Sequence, residues 1–127
     1  MNKKLLNAIE KAKQNLIIVE GKKDKHSLSC LGFEDIFMIH ETGKSIQEKI
    51  EKVIEIQEQN PKQKICILTD FDKKGKQLYL LLKSKLQELG VRMDNTLRGA
   101  LLKEKISHIE GLSSFIKNKK NFKIQKN

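Results

Sequence analysis

Ile65-Cys66-Ile67-Leu68-Thr69-Asp70-Phe71-Asp72 is the stretch that decides how this chain is read. Its four successive apolar residues leave no polar face for water, so the run predicts a short strand buried on both faces. It ends in two carboxylates one residue apart. A second run, Leu16-Ile17-Ile18-Val19, climbs in the same way into Glu20-Gly21. In an open parallel sheet, ligands bind outside the carboxyl ends of the strands. Three carboxylates delivered there make a hard, oxygen-lined site of the kind that suits Mg²⁺ or Mn²⁺.

Outward from these two runs, the chain alternates strands with helices. Leu5, Leu6, Ile9 and Ala12 at helical spacing predict a helix over 3–13, before a strand at 15–19. A short helix over 24–31 closes at Gly32, and Ile36-Phe37-Met38-Ile39 forms the next strand. Ile46, Ile50, Val53, Ile54 and Gln57 share one face of a helix over 45–59, which Asn60-Pro61 stops. The third strand is 64–69. A leucine-rich helix over 76–89 ends at Gly90, Val91-Arg92-Met93-Asp94 is a weak fourth strand, and a last helix covers 96–105. The alternation implies an α/β fold: about four mostly parallel strands, Rossmann-like, with helices on both faces. One domain over 1–116 is expected, followed by a basic tail over 117–127.

The bulk numbers narrow the function. Of 127 residues, 38% are hydrophobic and 33% charged, which suits one polar domain with a modest core. No apolar stretch approaches the roughly 18 residues needed to span a bilayer, and no signal peptide is read, so a cytoplasmic protein without membrane contact is expected. Cys30 and Cys66 form no C-x-x-C and are read as two buried thiols. Lys and Arg number 26 against 16 acids, a net charge of +10, which favours polyanion partners through counterion release. Lysine as a default solvating residue is the bland reading of that excess. The excess is uneven, however: five lysines and no acid fall within 117–127, where Phe122 and Ile124 are the apolar anchors.

Taken together, Val19-Glu20-Gly21-Lys22-Lys23-Asp24, then Gly43, then Leu68-Thr69-Asp70-Phe71-Asp72-Lys73-Lys74-Gly75 resemble a Toprim domain. That is the fold of topoisomerases, bacterial primases, overcoming-lysogenization-defect nucleases and the ribonuclease that matures 5S ribosomal RNA. The whole chain resembles the small stand-alone Toprim proteins of archaea. The resemblance implies Glu20 as the catalytic carboxylate, and Asp70 and Asp72 as holders of Mg²⁺ (or Mn²⁺). Asp24 stands where primase-like members carry a further metal-site acid. Gly21, Gly43 and Gly75 would be structural turn residues. Lys74 replaces the third Asp of the topoisomerase motif, which points towards primases and the 5S-maturing ribonuclease.

Phosphodiester cleavage develops negative charge that a divalent ion stabilises, and the ion needs anionic oxygens. Lys22, Lys23, Lys73, Lys74 and Lys76 would neutralise phosphates that the acids alone would repel. The expected function is a Mg²⁺-dependent nucleic-acid phosphodiesterase, endonuclease-like, on structured RNA or DNA. The rival is a non-catalytic module that binds RNA, the ribosome or a DNA-repair complex. So small a domain leaves room for a protein partner, and no oligomeric state is read.

Other features are weighed against these. Asp24 is as readily a helix cap as a site acid. Glu110 is either a further site acid or a helix-end residue, with the site slightly favoured. His26, His40 and His108 show no ligand spacing, and Tyr79 in its leucine-rich helix reads as packing rather than a nucleophile. Glu41-Thr42-Gly43-Lys44-Ser45 imitates a P-loop, but Met38 stands where the first glycine is needed.

Overall fold

The computed structural model describes residues 3–40 and 43–118. The basic tail from 119 onward and the Glu41-Thr42 part of the P-loop imitation lie outside the described residues. In chain order the elements are α1 (Lys3–Ala12), β1 (Leu16–Val19), α2 (Lys22–Cys30), β2 (Ile36–Met38) and α3 (Ile46–Gln59). There follow β3 (Ile65–Ile67), α4 (Lys73–Glu88), α5 (Thr96–Lys103) and a 3₁₀ turn, Ile109–Gly111. Residues 112–118 are helical.

The strands form one parallel sheet in the order β2-β1-β3. Every residue of β1 and β3 is buried, as unbroken apolar runs require. Side chains alternate between two cores. Ile17, Val19, Cys66 and Leu68 pack with α1, α2, α5 and the 3₁₀ turn, whereas Leu16, Ile18, Ile65 and Ile67 pack with α3 and α4. Each of the valine, leucine and isoleucine side chains contributes about 1.5–3 kcal/mol of burial. β2 lies at an edge and is half-buried.

Three strands, not four, make the sheet among the described residues. The segment after α4 touches β3 at a single bridge, Ile65 to Met93. Arg92 O accepts from Ile65 N and Asp94 N donates to Ile65 O, and there the pairing stops. Asp94 then accepts from Thr96 N at 3.0 Å and from Asn15 at 3.1 Å, turning the chain into α5 before a second pair can form. Burial pushes the Asp94 carboxyl up, but the Thr96 N–H and hydroxyl, Asn15 and Lys64 outweigh it and hold it below the usual value. The thiols also divide: Cys66 is buried and pushed up to about 12, chiefly by that burial, while Cys30 is exposed.

Local chemistry explains the helix ends. Ser45 Oγ accepts from Glu48 N at 3.2 Å, the start of an S-x-x-E capping pattern. Asp72 caps α4 by accepting from Gly75 N at 2.7 Å, so this helix begins three residues earlier than the periodicity predicts. Among the described residues, no helix is long and apolar enough to cross a membrane.

Candidate metal and nucleic-acid site

The two acidic runs meet at the carboxyl edge of the sheet. β1 and β3 are parallel neighbours, so Glu20 and Asp70 emerge side by side. Glu20 Oε2 accepts from Asp70 N at 2.7 Å, so a side chain extends the ladder one step past the strands. Asp70 Oδ1 accepts from Ile109 N at 2.9 Å, and Phe71 N donates to Ser107 O. These two bonds pin the chain beyond α5 against the acidic turn. The reversal that brings it back passes through Lys105, a left-handed residue at φ 58°. For a residue other than glycine, that conformation costs about 1 kcal/mol.

Beneath the turn lies Arg98, which is 6% exposed. Its guanidinium donates to the carbonyls of Thr69 at 2.7 Å, Ile67 at 3.3 Å and Asp70 at 3.4 Å. Its Cζ lies 4.5 Å from the Phe71 ring centre and 4.2 Å from that of Tyr79. The sequence offered no sign of this role for Arg98. Tyr79 packs, as its helix suggests, and its hydroxyl donates to Asn95. Burial lowers the Arg98 pKa, and the nearby Tyr79, Cys66, Glu20 and Asp70 partly restore it. A cation bound to strand-end carbonyls holds the backbone from which Asp70 and Asp72 project.

Of the residues singled out from the sequence, Asp70 and Asp72 come together, and the structure adds His108 to them. One ligand atom from each of the three lies within 4.8 Å of the others. His108 reaches Asp72 from 36 positions down the chain (108 − 72), so no spacing rule could have shown it. Glu20 stands beside the group with one oxygen committed to Asp70 N. Asp24 lies outside it, at the start of α2, where its carboxylate reaches back to Gly21 N at 3.0 Å. Glu110 is exposed in the 3₁₀ turn. His26 and His40 are exposed.

The glycines differ in what they do. Gly43 takes a positive φ of 83°. Gly21 is extended at φ −149°, and a Cβ there would meet nothing within 4 Å. Gly75 sits in the first turn of α4 with its Cα against the Asp70 carbonyl: a Cβ would lie 2.0 Å from that oxygen. Thr69 Oγ1 donates to the Gly75 carbonyl at 2.7 Å and closes the same tight turn.

Charge is arranged in two layers. The acids share one field: burial pushes the Asp24 carboxyl up, with Asp70, Glu20 and Glu110 adding to the rise and the Gly21 N–H opposing it. An Asp raised in the folded state lends stability below its ordinary value of 3.8 and loses it as pH rises through the raised value. Asp24→Asn keeps an acceptor for Gly21 N. It is therefore expected to raise the urea midpoint at pH 7, with the gain vanishing near about pH 3; melts at both values check this.

Around the acids, Lys22 and Lys23 open α2, and Lys73, Lys74 and Lys76 open α4, all exposed. The first turn of α4 holds no acid. Lysines there oppose the helix dipole, which the capping Asp72 carboxylate offsets in part and a bound phosphate would offset further. A hollow of about 610 Å³ lined by Lys22, Lys23, His26 and Glu110 lies on this edge. The larger groove, about 870 Å³, is lined by residues such as Asn15, Lys64 and Asp94 at the amino ends of the strands, away from the carboxylates. Strand polarity favours the smaller hollow as the ligand side.

Comparison with known proteins places the fold. The family model described as Toprim domain matches residues 15–112. A UPF0292 protein of Methanocaldococcus jannaschii is 30% identical over 133 residues, covering 94% of each chain. A UPF0292 protein of Methanosarcina barkeri is 30% identical over 106 residues, covering 80% of this chain and 68% of that one. A solved structure, of a protein from Aquifex aeolicus, superposes with a TM-score of 0.70 at 30% identity, covering 86% of this chain and 98% of the other.

Proposed function

The chain belongs to the Toprim family, and from that premise we propose that it is a divalent-metal-dependent nucleic-acid phosphodiesterase, endonuclease-like, acting on structured RNA or DNA. The observation that carries the reading is the convergence of Glu20, Asp70 and Asp72 at one sheet edge, between two lysine-bearing helix starts. Two carboxylates and an imidazole within 4.8 Å are a donor set that fits a divalent cation. Asp70 and Asp72 would hold Mg²⁺ or Mn²⁺, which when bound supplies positive charge against the phosphate oxygens.

The protein's own groups do the rest. Arg98 and Gly75 hold the acidic turn in place, so the carboxylates are set before substrate arrives. Lys22, Lys23, Lys73, Lys74 and Lys76 orient the sugar–phosphate backbone. Glu20 Oε1 takes no hydrogen bond from a described residue, and there it would give or take the proton of the reaction. We assign the reaction to the cytoplasm, a compartment whose reducing conditions would keep an exposed thiol such as Cys30 reduced.

One observation favours the rival reading, a non-catalytic module that binds RNA, the ribosome or a DNA-repair complex through a protein partner. Glu20 Oε2 is engaged by the backbone at 2.7 Å, as in a purely structural strand clamp. A cleavage assay separates the two. Labelled RNA and DNA pools with Mg²⁺ or Mn²⁺ are offered to the parent protein and to Glu20→Gln, which keeps an acceptor for Asp70 N. Loss of about 10²–10⁴ in rate in the variant supports proton transfer by Glu20. Binding without products in either protein overturns the nuclease in favour of the module.

A further inference from the structure

We propose that His108 is a ligand, through Nε2, of the metal held by Asp70 and Asp72, and that it turns the site from Mg²⁺ towards Mn²⁺ and the later first-row divalent ions. The inference rests on the metal-holding part of the reading above and is independent of cleavage.

The first support is a distance. His108 Nε2 and Asp72 Oδ2 lie 3.9 Å apart, with the side chains 52% and 49% exposed. A hydrogen bond between a ring nitrogen and a carboxylate would close to about 2.7–3.2 Å. Two neighbouring donors on one small divalent ion would stand about 3 Å apart. At 3.9 Å the two atoms do not share a proton, and closing by about 1 Å would bring them to the spacing of neighbouring donors on one ion. Half-exposed side chains have the rotamer freedom to close on one.

The second support is the ring's other nitrogen. Ser107 Oγ lies 2.9 Å from His108 Nδ1, which leaves Nε2 for the acids. An outer partner on the non-ligating nitrogen orients a metal-binding histidine, and the serine hydroxyl can accept the Nδ1 proton in the tautomer that leaves Nε2 free to bind. A surface histidine serving only as a loose ion pair needs no such partner.

The third support is the backbone. Phe71 N donates to Ser107 O and Ile109 N to Asp70 Oδ1, so the residues on both sides of His108 are tied to the acidic turn. Asp72 meanwhile commits Oδ1 to Gly75 N and leaves Oδ2 for the ion. The chain adopts the left-handed Lys105 conformation on the way to this arrangement. Asp70, Asp72 and His108 thus deliver one donor each to the same place with their outer partners already set.

The consequence is selectivity. Mg²⁺ prefers oxygen donors and dehydrates reluctantly, whereas one nitrogen among carboxylates suits Mn²⁺ and its successors. The test uses the full chain with Mn²⁺ as the probe. Pulsed electron paramagnetic resonance should show nitrogen modulation on bound Mn²⁺, changed by ¹⁵N-histidine labelling and lost in His108→Ala. Because the side chain is half-exposed, that variant is expected to stay folded, and its thermal melt checks this. By calorimetry, Mn²⁺ affinity should fall about 10–100-fold in His108→Ala, and about tenfold or more in Ser107→Ala, with Mg²⁺ affinity little changed.

Mn²⁺ bound in an Asp72-dependent manner with no nitrogen modulation would overturn the role of His108 and leave the metal site standing. Mn²⁺ binding by His108→Ala at the parent's affinity would overturn that role equally. No Mn²⁺ or Mg²⁺ binding at all would overturn both this inference and the metal-dependent reading beneath it.

Discussion

A chain carrying Asp70→Asn and Asp72→Asn together is expected to keep its fold and lose metal-dependent cleavage by about a thousandfold or more. The fold should survive because each asparagine retains a carbonyl acceptor. The amide oxygen introduced at position 70 can still receive Ile109 N. The one at position 72 can still cap α4 at Gly75 N, where asparagine and aspartate serve equally. What disappears is two negative charges at the place where the proposed ion would be held. A bound divalent ion is worth several kcal/mol of charge stabilisation during phosphodiester cleavage. At about 1.4 kcal/mol per factor of ten, about 4 kcal/mol corresponds to a thousandfold. The measurement pairs initial cleavage rates with a circular-dichroism melt of both proteins. Cleavage retained in a folded double variant would remove these carboxylates from the chemistry and with them the nuclease reading.

Gly75→Ala is expected to be the most damaging single methyl group in the acidic turn. The added Cβ would stand 2.0 Å from the Asp70 oxygen, 2.5 Å from its carbonyl carbon and 2.9 Å from its Cα. All three neighbours are backbone, so no rotamer change relieves the clash. Core overpacking costs about 1–3 kcal/mol where side chains can shift, and a contact against main chain belongs at or above the top of that range. About 3 kcal/mol corresponds to a fall in melting temperature of roughly 10 °C for a domain of this size. The function should suffer more than the stability. To make room, α4 must move away from Asp70, taking Asp72 with it and loosening the Thr69–Gly75 bond. Thermal melts and Mn²⁺ titration of Gly75→Ala beside Gly21→Ala provide the check. The second variant adds its methyl where nothing lies within 4 Å and should change little. Equal behaviour of the two would show that the turn is slack and the close approach unimportant.

The residues that carried the reading were those whose meaning is local. Leu16–Val19 and Ile65–Leu68 declare buried parallel strands because an unbroken apolar run has no other stable placement among alternating helices. Asp70 and Asp72 were legible for the same reason: a strand in a parallel sheet presents its carboxyl end to the ligand side, whatever lies elsewhere. Val91–Asp94 misled because a short apolar–polar run has strand propensity, while its pairing is cut by the Asp94 turn into α5. Cys30 misled for a related reason: it lies on α2, which turns it to solvent.

The parallel α/β class, the family, and the sheet edge where Asp70 and Asp72 come together as a candidate site are legible in the chain alone, since each follows from patterns a few residues long. Packing in three dimensions was needed to set Arg98 beneath the acidic turn, to return Asp24 to Gly21, to clamp Asp70 with Glu20, and to bring His108 to the acids. Apart from the Asp24 contact, these pairings span 28 to 50 residues along the chain. Contacts that distant depend on where the helices pack and where Lys105 reverses the chain, and no local periodicity encodes either.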